Sequence, residues 1–164
     1  MHERWALNAS PLILLSKIGY EWLIFELAEE IIVPLGVAEE IEAGPTTDPA
    51  KRLLREGRFV IDDAGPPLPE IIAWDLGKGE TSVISYAITH PGWIAVLDDG
   101  AARKCAKSYD IRLKGTLSII LSAKQAGLIP SAAEALRELV IAGARLKDSL
   151  IREALRQIAN EEWN

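Results

Sequence analysis

Five side chains able to offer oxygen to a metal ion stand where an α/β protein most easily places chemistry: Asn8, Glu40, Glu80, Asp98 and Asp99. Asn8 follows the short apolar run Trp5-Ala6-Leu7, and Asp98-Asp99 follow Trp93-Ile94-Ala95-Val96-Leu97. Open α/β sheets bind ligands beyond the carboxyl ends of their strands, so residues that directly follow strand-like runs are the first candidates. Asp62-Asp63, after Phe59-Val60-Ile61, meet the same criterion. Glu40 immediately precedes Ile41 and lies at the margin of the apolar stripe formed by Val37 and Ile41, so it can face a cleft while Glu39 and Glu42 face water. Glu80 falls in the first turn of a helix, where the positive end of the backbone dipole favours a carboxylate. Carboxylates that converge are costly unless a cation neutralises them. A hard divalent ion such as Mg²⁺ or Mn²⁺ takes oxygen ligands, lowers the pKa of a bound water and can orient it against a phosphodiester.

Other chemistries lack the residues. Cys105 is the sole cysteine, which excludes an internal disulfide and a thiolate zinc cluster. It reads as a small apolar residue beside Ala102 and Ala106. Two histidines, His2 and His90, give no plausible Ser-His-Asp set. No glycine-rich phosphate loop of the Gly-x-x-x-x-Gly-Lys kind occurs, and no Asp-x-Asp follows the first strand, which weighs against a phosphoryl-transfer or receiver-like domain.

Charge is divided along the chain. Residues 1–99 carry 7 basic and 17 acidic side chains, whereas residues 100–164 carry 11 basic and 7 acidic, within an overall net charge of −6. Arg103, Lys104, Lys107, Arg112 and Lys114 crowd the segment just after the acidic pair. If Ala101, Ala102 and Cys105 face inward, then Arg103, Lys104 and Lys107 face out. They would form a track for the phosphates of a single strand leading to the metal.

The elements that must position these groups are legible as alternating patterns. Trp5–Leu7, Ile31–Val33, Phe59–Ile61 and Trp93–Leu97 are too short and too β-branched or aromatic for helices. They read as buried strands, with Arg112–Lys114 as a weak fifth. Helical patterns lie between them. Ser10-Pro11 predicts a helix start with Ser10 as cap. Val37 and Ile41 mark a helix that ends near Gly44. Leu53 and Leu54 mark another, whose outer face carries Lys51, Arg52 and Arg55. Val83, Ile84, Ala87 and Ile88 follow Gly79-Glu80, and Thr116 is placed as the cap of a helix closed by Gly127 and Pro130. Ser131-x-x-Glu134 has the form of a capping box, and a last helix carries Leu150, Ile151, Ala154, Leu155 and Ile158. Strands alternating with helices predict a parallel sheet covered on both faces, a three-layer α/β/α sandwich. The whole chain, 1–164, reads as one domain with a core over about 4–130. Extra C-terminal helices over about 131–162 should pack on one edge or face. No apolar run approaches the ~20 residues that span a bilayer, and the N-terminus lacks the pattern of a signal peptide. A cytoplasmic protein without a membrane association is expected.

Four segments together resemble PIN domains: Asn8-Ala9-Ser10-Pro11-Leu12-Ile13; Val33-Pro34-x-x-Val37-x-x-Glu40-Ile41; Leu76-Gly77-x-Gly79-Glu80 with Val83-Ile84; and Leu97-Asp98-Asp99-x-Ala101-Ala102-Arg103. The likeness covers about residues 5–130 and is nearest to a prokaryotic branch related to VapC-type toxins. It implies a Mg²⁺- or Mn²⁺-dependent endoribonuclease acting on single-stranded RNA. It also points to a toxin paired with a small antitoxin protein, and to a homodimer. Carried over by position, the metal-binding and catalytic set falls on Asn8, Glu40, Glu80 and Asp99. Asp98 contends with Asp99, because spacing does not separate adjacent residues. The small hydroxyl residue of the first motif falls on Ser10, which joins Arg103, Lys104 and Lys107 as a candidate substrate contact. One departure stands out: the family usually has Asp where this chain has Asn8. An amide oxygen can ligate a metal but adds no charge, so a weakened nuclease and an inactive module that binds RNA or a partner protein both remain open.

Overall fold

The computed structural model describes residues 2–63 and 65–164. Its elements run β1 (Arg4–Leu7), α1 (Ala9–Lys17), α2 (Trp22–Leu27), β2 (Glu30–Pro34), α3 (Leu35–Ala43), α4 (Pro49–Arg55), β3 (Val60–Asp62), α5 (Pro69–Ile72), α6 (Lys78–Thr89), β4 (Trp93–Val96), α7 (Gly100–Ser108), β5 (Leu113–Lys114), α8 (Thr116–Gln125), α9 (Ala132–Ile141) and α10 (Asp148–Ala154). A π-helical turn, Leu155–Ala159, extends α10. The five strands form one parallel sheet in the order β3-β2-β1-β4-β5. All five expected strands are present in the expected orientation, and the architecture is the α/β/α sandwich that the alternation predicts.

The strand order explains the composition of each strand. β1 lies at the centre with Trp5, Ala6 and Leu7 fully buried, and β4 beside it is buried throughout. Both are packed on their two faces, which is why they read as continuous apolar runs. β3 lies at the edge, where Val60 and Ile61 are exposed. The chain winds outward from β1 through β2 to β3, then crosses back to β4 and β5. The reversal falls between β1 and β4, and a crevice opens there at the carboxyl edge.

The C-terminal helices cover one face: α8 packs on α1 and α2, and α9 packs on α1 and α8. Ile151 and Leu155 join the same buried core as the sheet residues. No helix among the described residues is long and apolar enough to cross a membrane.

Several local expectations are corrected. α1 begins at Ala9 with Asn8 in the cap position, so Ser10 lies inside the first turn and does not cap. Thr116 is the first residue of α8, after Gly115, and its side chain serves another purpose described below. Lys51, expected on an outer face, is buried, whereas Arg52 and Arg55 are exposed and pair with Glu56 and Glu42. Ala101 is exposed although Ala102 and Cys105 are buried. Asp62 ends β3 and does not follow it. The short helices α2 and α5 have no counterpart among the sequence expectations. Ser131 does cap α9, its hydroxyl accepting the Glu134 N–H at 3.1 Å.

Candidate functional site

Because every strand is parallel, the residues that follow β1, β4 and β5 reach the same edge. The Asn8 N–H donates to the Val96 carbonyl (3.2 Å), and the Leu97 N–H donates to the Lys114 carbonyl (2.9 Å), extending the ladder by one residue on each side of β4. Asn8, Asp98 and Thr116 thus emerge from three neighbouring strands. Helices α3 and α6 complete the rim. They pack closely because glycines lie between them: a Cβ on Gly36 would stand 2.6 Å from the Ser82 hydroxyl. The result is a cleft of about 730 Å³ lined by Asn8, Ser10, Glu40, Glu80, Asp98 and Asp99 together with Thr116. Oxygen-bearing side chains from opposite ends of the sequence share it. Asp62 and Asp63 line a different cleft and take no part.

Gly79 sets the distance between two members. A Cβ there would lie 2.9 Å from Glu40 Oε2, 3.0 Å from Asn8 Oδ1 and 3.1 Å from Val37, so any side chain would force these groups apart. The Gly79 N–H, at the start of α6, donates to Glu40 Oε1 at 2.7 Å. This free amide at a helix N-terminus holds the Glu40 carboxylate in place. Glu39, one residue earlier, instead faces water and pairs with Lys78, and Glu42 pairs with Arg55.

The adjacent aspartates have different duties. Asp98 is fastened on both oxygens. Oδ1 accepts the Thr116 N–H (2.8 Å), and Oδ2 accepts the Thr116 hydroxyl (2.6 Å) and the Ser10 hydroxyl (3.3 Å). Asp99 occupies the cap position of α7 and spends one oxygen, Oδ2, on the Ala102 N–H (3.0 Å). Its other oxygen has no donor among the described residues, so Asp99 is the freer of the two. Burial, then the neighbouring charges of Asp99 and Glu40, push the Glu80 carboxyl above its ordinary range. Glu80 therefore feels both of those carboxylates, which is the repulsion expected of acids gathered without a counter-ion.

Asn8 is buried, and its Oδ1 has no hydrogen-bond donor. Among the described residues only one other buried side-chain oxygen, Glu21 Oε2, is in the same condition. A buried acceptor without a partner is costly and calls for a reason. No three Asp, Glu, His or Cys side chains among the described residues are drawn together as a preformed metal cage. The acids line an open cleft from which they can reach inward.

The basic residues expected to form a phosphate track lie in different places. Arg103 folds back, its guanidinium donating to the Leu97 carbonyl at 2.8 Å and bracing the turn that carries Asp98. Lys104 and Lys107 are exposed on α7 but do not line the cleft. The cations that do line it are Lys17, at the end of α1, and Arg145, in the loop between α9 and α10. Sequence reading does not single out either, because nothing in the spacing ties residues 17 and 145 to residue 98. Thr116 reads there only as a helix start. Its Gly-Thr sequence after a weak strand gives no sign that it orients an aspartate 18 residues earlier.

No curated protein and no solved structure matches the chain. The profile of a family described as PIN domain matches residues 4–160. The match takes in every strand and every α-helix of the sandwich, and the chain therefore belongs to the PIN-domain family, a nuclease-type fold whose members generally use divalent metal ions.

Proposed function

We propose that the protein is a metal-dependent endoribonuclease whose site is formed by Asn8, Glu40, Glu80 and Asp99. The observation that carries this reading is the convergence of these four residues, with Asp98, in one cleft at the sheet's switch point. The donor set fits a hard divalent ion, Mg²⁺ or Mn²⁺. It is made of oxygen alone, and Asn8 Oδ1, buried beside Gly79 and the Glu40 carboxylate, has nothing to accept. When bound, such an ion supplies Lewis-acid polarisation of a phosphodiester and a water acidified enough to attack it.

The chain's own residues do the rest. The Gly79 N–H orients Glu40. Glu80, whose carboxyl burial and the charges of Asp99 and Glu40 push above its ordinary range, is the member whose ionised form a bound cation would favour. Thr116 and Ser10 hold Asp98 in place at the rim, so Asp98 acts by positioning and Asp99 by contact. A small antitoxin that covers the cleft and a homodimeric assembly belong to the same proposal, as does a cytoplasmic setting.

Asn8 also supports a second reading, in which the module binds RNA without cutting it, because a neutral amide leaves the site one charge short. Cleavage of single-stranded RNA with Mn²⁺ separates the two. Wild-type protein is expected to cut slowly, Asn8→Asp to cut about tenfold faster or more, and Glu40→Gln to be inactive. Absence of cleavage in both wild type and Asn8→Asp, with folding intact, would refute the nuclease reading.

A further inference from the structure

The acidic cleft has a second wall of different chemistry. Besides the carboxylates it is lined by Ile13, Leu14 and Lys17 of α1 and by the α9–α10 loop, residues 142–146, which includes Arg145. Gly143 turns that loop with φ +113°, and the Ala144 N–H fixes it to the Leu139 carbonyl (2.9 Å). Ile13, Leu14 and Leu146 are each only partly buried, so the wall is an accessible apolar shelf. Lys17 and Arg145 are exposed, and neither has a hydrogen bond or an ion pair among the described residues, although other basic side chains, including Arg52, Arg55, Lys78, Arg112, Lys114 and Arg156, do. Two uncommitted cations beside an apolar shelf, facing a row of carboxylates, form an arrangement with one evident complement: a polyanion whose reacting phosphate meets the acids and whose adjoining phosphates need positive charge.

We infer that Lys17 and Arg145 hold the phosphates flanking the scissile one, while the Ile13–Leu14–Leu146 shelf seats an unpaired base. The C-terminal helices would then be part of the substrate groove as well as packing for the sheet. The shelf's side chains bear no hydrogen-bonding group, so the base is seated by contact and its edge is not read. The substrate is accordingly a single strand of several nucleotides recognised through its backbone, and a mononucleotide phosphate diester binds poorly. This inference rests on the nuclease reading and replaces the exposed Lys104–Lys107 face as the phosphate track.

The test measures binding of a labelled single-stranded oligoribonucleotide in the Glu40→Gln background, with and without Lys17→Ala plus Arg145→Ala, over a range of salt. Each phosphate of a single strand that goes unneutralised should reduce the slope of log affinity against log salt by about 0.7, so the double change should reduce it by about 1.4. In the active protein the same double change is expected to raise KM on the order of tenfold with little change in kcat. Oligouridylate and oligoadenylate are expected to bind within a few-fold of each other. If the slope and KM stay fixed in an active protein, or move instead with Lys104→Ala plus Lys107→Ala, the groove assignment is overturned and the nuclease reading survives. If the wild type neither binds nor cuts RNA, both fall.

Discussion

Two carboxylate sites at helix N-termini in this protein have opposite character. At the start of α9, Glu161 accepts the Ser131 hydroxyl (2.6 Å) and the N–H groups of Ala132 (2.8 Å) and Ala133 (3.2 Å), with Lys124 close by. Burial alone would raise its pKa, but these bonds and the Lys124 charge outweigh burial and hold the carboxyl below its ordinary range. At the start of α6, Glu80 meets burial and the charges of Asp99 and Glu40, and its carboxyl is pushed up. The first carboxylate is fully partnered and fastens the C-terminal segment to the fold. The second is left in company that repels it. A group whose ionised form the fold disfavours is a candidate for chemistry, whereas a group whose ionised form the fold rewards is a fastener.

The contrast is broken most severely by exchanging each glutamate in turn. Glu80→Gln is expected to lower Mn²⁺-dependent cleavage on the order of a hundredfold while leaving the metal-free protein as stable as before or more so. Glu161→Ala should do the reverse. It is expected to cost about 2–3 kcal/mol of stability, since donors at a helix start lose a charged acceptor. The melting temperature should drop by roughly 5–10 °C, with cleavage per folded molecule unchanged. Thermal denaturation beside an RNA cleavage assay measures both. Equal effects of the two changes on stability would remove the distinction.

A smaller effect tests the geometry that gathers the acidic site. Gly79→Ala places a methyl about 3 Å from Glu40, Asn8 and Val37. It should cost about 1–2 kcal/mol through overpacking, and Mn²⁺ affinity, read by calorimetric titration, should weaken. A Gly79→Ala protein with wild-type metal affinity would show that the separation of Asn8 and Glu40 is not what the site needs.

The smallest effect is the pH dependence, and its sign differs between the two sites. The raised carboxyl of Glu80 contributes stability that is present below its ordinary value of 4.5 and is lost as pH rises through its native value. The lowered carboxyl of Glu161 contributes stability that is present above 4.5 and is lost as pH falls through its native value. In metal-free protein, Glu80→Gln should therefore flatten the decline of stability on the alkaline side of 4.5, and Glu161→Gln should flatten the decline on the acid side. Urea unfolding across roughly pH 3–7, the span of carboxyl titration, measures these slopes. Mn²⁺ should abolish the Glu80 slope alone.

The sequence determined the strands, the longer helices and the edge at which the site lies. Short apolar runs such as Trp5–Leu7 and Trp93–Leu97 could only be strands buried on two faces, and alternation with helices required them to be parallel. Parallel strands deliver the residues that follow them to one edge, so Asn8 and Asp98-Asp99 were legible as neighbours without coordinates. Tertiary structure decided the rest, because side-chain direction and long-range packing are not local properties. It turned Arg103 inward to the Leu97 carbonyl and buried Lys51. It made Thr116 a clasp for Asp98, and so separated two aspartates that spacing could not. It also brought Lys17 and Arg145, far apart along the chain, to the margin of one cleft. A chain fixes what each residue can do through its chemistry and its period, but which residues meet is set by how the helices settle on the sheet.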